Sequence, residues 1–234
     1  MIKSNQAAYS GKQTQDLMGR TSTTETKEQI LNAAERLFAS LGFAGTSLRA
    51  IIREADVNLA AIHYHFGSKE ELFIAVVRRV AQPIVEKQLQ RLAVLEDSEE
   101  LPSVAEILEA FITPPLEIVL ERSEQCLIHA KFMGRCRAEP YPIQKLAEAE
   151  FRTSQQRFLY ILAKVLPDQS PTELKWKLDL VVAMLVRILS QIEQLEILSE
   201  NSYAEEINNI VRRLVTFITF GISAESGAGN NQKS

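Results

Sequence analysis

Two adjacent hydroxyl residues, Thr46 and Ser47, stand where the spacing of apolar residues predicts the start of a short helix. The free backbone N–H groups at a helix N-terminus, together with a hydroxyl group, favour a phosphate oxygen. A hydroxyl side chain at this point can also cap the helix, and the two roles can coexist. The chemistry predicted here is therefore phosphate binding, helix capping, or both.

Two short helices joined by a tight turn are expected to position these residues. Leu48, Ile51 and Ala55 give the first helix an apolar face, and the pattern is interrupted at 56–58. The second helix, 59–66, is too short to be stable alone and must pack against its neighbours. Helix-turn-helix proteins use such a helix, delivered at a steep angle by its partner, to enter the major groove of DNA.

The second helix contains no lysine or arginine, and two of its residues, Ala60 and Ala61, are small. Small residues allow close approach to DNA, and alanine methyl groups can contact thymine methyl groups. We therefore expect weak individual base contacts, with phosphate contacts giving most of the affinity.

A possible sensor site is formed by Cys126, His129 and Cys136, which fall within eleven residues. Cys126 and His129 share one helical face, a spacing that metal ligands use. Two cysteines and one histidine leave a metal site incomplete, so buried, inert cysteines are the main interpretation. We predict no metal site, and a thiol- or metal-sensing protein is the alternative.

The sequence around these features resembles the TetR/AcrR family of transcriptional regulators, and the matching pieces keep their order and spacing. These pieces are Ile30–Phe38, Gly42-Phe43, Thr46-Ser47, Val57-Asn58, Tyr64-His65-Phe66 and Ser68–Leu72. The resemblance implies an all-α fold with an N-terminal helix-turn-helix domain of three helices, followed by a larger helical domain for ligand binding and dimerisation.

The resemblance also implies that Tyr64, His65 and Lys69 contact the DNA backbone. His63 is a departure, because many family members have tyrosine there, and it changes reach and introduces a titratable group. His65 packed on Phe66 and a solvated Lys69 are the structural alternatives. The predicted DNA-binding residues are Thr46, Ser47, Asn58, Leu59, Ala60, Ala61, His63, Tyr64, His65 and Lys69.

The organisation of the chain follows from composition and from the stop signals. We predict a DNA-binding domain over 25–80, a ligand-binding and dimerisation domain over 81–222, and disordered tails at 1–24 and 223–234, which contain few apolar residues. Within the second domain the prolines at 114–115 stop or kink one helix. A long helix is expected over 144–166, and another begins at Ser170-Pro171.

Two apolar stripes near the C-terminus, in the helices beginning near Leu174 and after Asn201-Ser202, are wider than one core face needs. A buried core is one explanation. The resemblance favours the other, a homodimer formed by the last two helices. The predicted interface consists of Leu178, Val182, Leu185, Leu189, Ile192, Ile210, Leu214, Phe217 and Ile218. A two-fold protein requires a two-fold operator.

The resemblance implies a mostly apolar effector cavity in the C-terminal helices, although apolar residues at helical spacing are expected in any core. The predicted lining residues are Phe111, Leu116, Leu120, Phe132, Met133, Phe151, Phe158, Trp176 and Met184. The strings at 58–61 and 65–69 are similar to a subgroup that includes regulators answering to fatty acids or acyl thioesters. No cofactor is expected.

Charge and hydropathy limit the remaining classes. The net charge of the chain is −4, but residues 1–80 contain 10 Lys/Arg and 8 Asp/Glu. This small positive excess suits an N-terminal domain that approaches phosphate groups. Residues 1–24 lack the apolar core of a signal peptide, and no apolar run reaches the ~18 residues of a membrane helix. We therefore expect a cytoplasmic protein without a membrane partner.

Two further classes compete with a DNA-binding regulator. An enzyme is not expected, because the sequence has no glycine-rich phosphate loop, nucleophile elbow or zinc-protease motif. A helical adaptor for protein partners would leave the 46–69 region without a purpose. The sequence predicts a dimeric repressor that a small, apolar or amphipathic effector releases from a palindromic operator.

Overall fold

The computed structural model describes residues 6–117, 123–191 and 203–223. Every regular element in these ranges is a helix, which confirms the all-α prediction. The helices are α1 Gln6–Gly45, α2 Leu48–Ala55, α3 Leu59–Phe66, α4 Lys69–Glu96, α5 Val104–Glu117, α6 Glu124–Cys136, α7 Ile143–Ala149, α8 Arg152–Val165, α9 Pro171–Ser190 and α10 Tyr203–Ser223. None of the described helices is long and apolar enough to cross a membrane.

The chain forms two compact units, Met1–Val76 and Val77–Ser234. In the first unit, Ile30 of α1, Ile51 of α2 and Ile62 of α3 are fully buried. The ring of Phe73 packs edge-on against Phe38, with 5.2 Å between the ring centroids. This core fixes α2 and α3 on α1 and on the start of α4, so α3 has the neighbours that so short a helix requires.

Helix α1 begins at Gln6, and the predicted disorder of 1–24 is therefore wrong for 6–24. That segment contains no proline and many good helix formers, and it extends an existing helix, so it needs no nucleation of its own. Helix α1 is broken at Gly42, which has φ 74° and ψ 175°, a conformation that glycine adopts and other residues avoid.

In the second unit, α5 packs against α10 and α8, while α6 and α8 pack against α9. Helix α9 starts as predicted: the Ser170 side chain accepts a hydrogen bond from the Glu173 amide, and Pro171 occupies the first turn. The long helix expected over 144–166 is instead two helices, α7 and α8, which separate at Glu150-Phe151. The prolines at 114–115 lie inside α5, which continues to Glu117.

Candidate nucleic-acid interface and ligand cavity

The turn between α2 and α3 is built from two side-chain caps and one left-handed residue. The Oγ of Ser47 accepts a hydrogen bond from the Ala50 amide at 3.1 Å, and the Oδ1 of Asn58 accepts one from the Ala61 amide at 2.9 Å. Asp56 adopts φ 52° and ψ 46°, a conformation that aspartate tolerates better than most residues. The turn between α2 and α3 therefore takes only the three residues 56–58.

The exposed side of α3 carries the residues that could meet DNA. Ile62 and Phe66 are buried, which turns Ala60, His63 and Tyr64 outward. The Tyr64 side chain is 78% exposed, so its hydroxyl is held out towards solvent.

One ring nitrogen of His63 already makes a hydrogen bond within the chain. Its Nδ1 lies 2.8 Å from the carbonyl oxygen of Gly67. A carbonyl oxygen can only accept, so Nδ1 carries the hydrogen and donates it. In the neutral imidazole, Nε2 is then an acceptor.

Lys69 and His65 are both half-buried. The Nζ of Lys69 lies 4.2 Å from the centroid of the Phe43 ring, a cation–π contact that orients the side chain. The ring of His65 packs edge-on against Tyr64, with 5.0 Å between centroids, and lies 6.0 Å from the ring of Phe66. The structure thus shows the packing alternative for His65.

Thr46 does not have the predicted position. It is 1% exposed, and its hydroxyl lies 2.7 Å from the carbonyl oxygen of Gly42 and 3.1 Å from that of Leu37. Its backbone N–H donates to the Phe43 carbonyl. The hydroxyl and the backbone N–H of Thr46 are thus both used in hydrogen bonds between the end of α1 and the start of α2. The predicted phosphate contact by Thr46 is therefore wrong in this structure, and Ser47 caps α2.

Sequence reasoning passed over two cations in α2, Arg49 and Arg53. Both are exposed, one turn apart on the helix that accompanies α3. Their spacing of four residues on the polar side of an amphipathic helix was the signal available.

An apolar cavity of about 50 Å³ lies in the second unit between α4, α5, α6, α8 and α9. Of the predicted lining residues, Phe111, Met133 and Phe151 do line it. The polar members of its wall were missed, because their spacing alone does not place them in a core. The lining residues that were not predicted are Ile84, Gln88, Pro115, Arg137, Gln155, Val182, Leu185, Val186 and Leu189.

The other predicted lining residues lie elsewhere. Leu116, Phe132 and Phe158 are buried in the helical core, where the ring of Phe158 packs against that of Phe111 with 4.6 Å between centroids. Met184 is half-buried and absent from the cavity wall. Trp176 is 57% exposed, which excludes it from an internal cavity in this chain. Leu120 lies outside the described residues.

A wider polar cleft of about 920 Å³ adjoins this cavity. The cavity and the cleft share four lining residues, Arg137, Gln155, Val182 and Val186. An apolar chamber thus meets a polar, mainly cationic opening at Arg137. The charged residues that line only the cleft are Lys145, Glu148, Arg152, Lys175 and Asp179.

The predicted dimer residues divide between core and surface. Leu178, Leu185, Leu189 and Ile218 are buried within the chain, because α9 turns this stripe onto α6 and α8 and Ile218 lies on the buried face of α10. Because the chain's own helices already cover these four side chains, the prediction that they form the dimer interface is wrong. Val182 is half-buried and lines the cavity, and Ile192 lies outside the described residues.

A different apolar surface, the α9–α10 stripe, remains exposed or half-buried. It comprises Trp176 and Leu180 on α9 and Ile210, Leu214, Phe217 and Phe220 on α10. Phe217 and Phe220 are 71% and 77% exposed. Sequence reasoning named three of these six residues and placed Trp176 in the cavity.

Both cysteines are buried. Burial raises the pKa of the Cys136 thiol to about 12, and its Sγ donates to the Met133 carbonyl. The described residues contain no group of three or more histidine, cysteine and carboxylate side chains that could hold a metal ion. These observations give the thiol- or metal-sensing alternative no support.

Comparisons with known proteins identify both parts of the chain. The model of bacterial regulatory proteins of the tetR family matches residues 30–76, and that of the tetracyclin repressor-like C-terminal domain matches 109–221. Together they match more than half of the chain.

Relatives that match at the level of sequence include two bacterial regulators. The transcriptional regulator LmrA of Bacillus subtilis is 35% identical over 89 residues, covering 38% of this chain and 44% of LmrA. The nicotine-responsive repressor HdnoR of Paenarthrobacter nicotinovorans is 35% identical over 86 residues, covering 37% and 43%. The chain spans less than half the length of either relative.

A crystal structure shows the same fold over most of the chain. It is that of a TetR-family regulator from Shewanella sp. PV-4, with a TM-score of 0.61, 18% identity, and coverage of 82% of this chain and 97% of that one. With both family models in the expected order on a helix-turn-helix unit and an all-helical unit, this chain belongs to the TetR family of transcriptional regulators.

Proposed function

We propose that this protein is a transcriptional repressor that binds a two-fold operator as a homodimer and is released by a small molecule. The observation that carries the proposal is α3: a capped helix of eight residues, buried on one side and exposing small and polar side chains on the other. These are the properties of a recognition helix that enters the major groove. A protein that acts on chromosomal DNA works in the cytoplasm of a bacterium.

In this proposal α3 reads bases and its surroundings bind phosphate. Ala60 and Ala61 contact thymine methyl groups, and His63 presents Nε2 as an acceptor for an exocyclic amino group of adenine or cytosine. Tyr64 and Lys69 donate to phosphate oxygens. The remaining proposed contacts are Ser47, Asn58, Leu59 and His65, with Arg49 and Arg53 added from the structure.

The homodimer is proposed to form through the α9–α10 stripe. Two phenylalanines more than two-thirds exposed, together with Trp176 and Leu180, form an apolar surface of the kind that a protein partner covers. A two-fold contact pairs such a surface with itself, and it fits the two-fold operator that the proposal requires.

Effector binding is proposed to occur in the cavity and the adjoining cleft. Ligand sites combine apolar walls with a few polar groups, as this cavity does. The name of HdnoR shows that one relative responds to a small molecule. A fatty acid or acyl thioester remains a proposed effector class. To release the operator, the effector must bind the DNA-incompetent state more tightly by a few kcal/mol.

Selection from a pool of random DNA duplexes tests the proposal without assuming an operator. We expect enrichment of a pseudo-palindrome with half-sites about one helical turn, or a multiple of it, apart. A double variant, His63→Ala with Tyr64→Ala, is the matched negative control, and it should not enrich the wild-type motif. A pool that enriches no motif, or the same motif with the double variant, would overturn the assignment of α3.

A further inference from the structure

The geometry points to a carboxylate site at Arg137: this residue binds the negatively charged head of a small amphipathic effector whose apolar part lies in the adjoining cavity. The inference rests on the proposed function, since it names the chemical class of the effector that the second unit takes.

The first observation is an unsatisfied donor. The Nη1 of Arg137 is buried and has no hydrogen-bond partner among the described residues. Buried polar atoms almost always have partners, and an unpaired buried donor is costly, more so when it belongs to a charged group. A ligand oxygen at this point would remove that cost.

The second observation is an unsatisfied acceptor on the same cavity. Gln88 is 3% exposed, and its Nε2 donates to the Phe111 carbonyl at 2.7 Å, which fixes the direction of the amide. Its Oε1 is buried and has no partner within the part of the chain that the structure describes. One cavity thus holds a donor and an acceptor without partners. A ligand carboxylate can accept from Arg137, whereas the Oε1 of Gln88 needs a donor, which a bridging water molecule can supply.

The third observation is the place of Arg137 between two environments. The residue lines both the apolar cavity and the polar cleft. Its guanidinium lies 5.3 Å from the centroid of the Phe151 ring, which holds it at the cavity wall. A molecule with its charge at Arg137 can therefore place an apolar chain among Phe111, Met133 and Leu185.

Charges around the site favour an anion. The cleft contains two carboxylates, Glu148 and Asp179, and four cationic side chains, which are Arg137, Lys145, Arg152 and Lys175. Arg137 forms no ion pair with a described carboxylate. Burial lowers the pKa of Arg137 and outweighs the opposing effects of Cys136, Glu148 and Asp179. A bound anion would supply at close range the counter-charge that these groups do not provide.

The cavity also limits the ligand's size. About 50 Å³ is small beside the ligand pockets of most proteins, so the enclosed part is a short chain or the cavity widens on binding. A carboxylate is matched by the planar fork of a guanidinium, which lysine does not provide. We therefore expect short-chain monocarboxylates to bind in preference to neutral molecules of the same shape.

The test measures binding to the whole chain in the absence of DNA. Butanoate, hexanoate, octanoate and their primary amides are titrated by calorimetry against wild type and Arg137→Met. We expect at least one acid to bind on the order of tenfold more tightly than its amide, and the variant to lose that preference. Arg135→Met, which replaces an exposed arginine on α6, removes the same charge and is expected to keep the preference.

Thermal unfolding without ligand provides the second readout. Methionine has a similar length and removes the buried unpaired donor, so we expect Arg137→Met to raise the Tm by about 2–4 °C. A lower Tm would show that Arg137 is structural and would overturn the inference. So would acids that bind no better than amides, or an acid preference that Arg137→Met retains.

DNA binding separates this inference from the proposed function. Operator binding by the control variant Arg135→Met without ligand should equal that of wild type. Arg137-dependent carboxylate binding by a protein that binds no operator would support the carboxylate site and contradict the repressor. Specific operator binding with no carboxylate preference would support the repressor function and overturn the carboxylate site at Arg137.

Discussion

The hydrogen bond from His63 to the Gly67 carbonyl determines what this side chain can offer to DNA. With Nδ1 donating at 2.8 Å, the neutral ring presents Nε2 as an acceptor. A base edge discriminates between acceptors and donors, whereas a phosphate accepts from any donor. His63 and Lys69 should therefore contribute differently to binding.

We expect Lys69→Met to weaken binding to all duplexes by a similar factor and to reduce the slope of log K against log salt by about one. His63→Ala should instead change the ranking of single-base operator variants, with differences of about 1–3 kcal/mol at one position of each half-site. Anisotropy titrations over a set of operator variants and salt concentrations measure both. Parallel losses for the two variants would contradict this division of roles.

Cys136 tests the sensor alternative at the same scale. A pKa raised to about 12 keeps the thiol protonated at neutral pH, and the protonated form is a poor nucleophile. We expect iodoacetamide to modify Cys136 far more slowly in the folded protein than in urea, and peroxide to leave operator affinity unchanged. Rapid alkylation of the folded protein would contradict the buried, inert assignment.

Individual residues also show the limits of sequence reasoning. The caps at Ser47 and Asn58 could be predicted, because a cap depends on a few neighbouring residues. The burial of Thr46 depends on how the chain folds back after the break at Gly42, which local spacing does not determine. The different roles of the two adjacent hydroxyl residues therefore became visible only in the folded structure.

Among the elements, α9 begins where the sequence predicts, at the capping residue Ser170. Helix α4 begins at a capping box, in which the Glu71 amide donates to the Oγ of Ser68 and the Ser68 amide donates to the Oε2 of Glu71. The division between α7 and α8 at Glu150-Phe151 could not be predicted, because neither residue breaks a helix by itself. The start of α1 at Gln6 could not be predicted from the polar composition of the segment, because composition does not determine whether a segment extends an existing helix.

The crossing of α6 and α9 depends on one glycine. A Cβ added at Gly134 would lie 2.7 Å from the backbone nitrogen of Ser190 and 2.8 Å from its Cα, closer than real contacts allow. We expect Gly134→Ala to lower the free energy of unfolding by about 1–3 kcal/mol, measured by urea denaturation. Because the obstruction is mainly backbone, Ser190→Gly in the same chain should recover less than half of the loss. Full recovery would show that the Ser190 side chain, and not the close helix crossing, is responsible.

The α9–α10 stripe carries the prediction about assembly. Phe217→Glu should convert the dimer to monomer at micromolar concentration, because a charge would be buried without a partner at the interface. Asn208→Glu is the matched control, since Asn208 is an exposed position of α10 outside the stripe, and it should stay dimeric. Sedimentation equilibrium distinguishes the two states, and a dimeric Phe217→Glu would place the interface elsewhere.

For the whole molecule, family and fold class could be predicted from the 46–69 motif and the helical spacing, whereas the effector site could not. The cavity is assembled from five helices that are distant in sequence, so Gln88 and Arg137 become neighbours of one chamber only after folding. The predicted dimer stripe failed in part for the same reason: periodicity identifies an apolar face, and only the fold determines whether that face meets the chain's own core.

Specific operator binding is measured by fluorescence anisotropy with the DNA upstream of the protein's own gene, over a salt series and with competitor DNA. We expect saturable, competitor-resistant binding with two subunits, or a multiple of two, per site. Weak binding that competitor DNA abolishes at every salt concentration, both there and on sequences selected from a random pool, would contradict it.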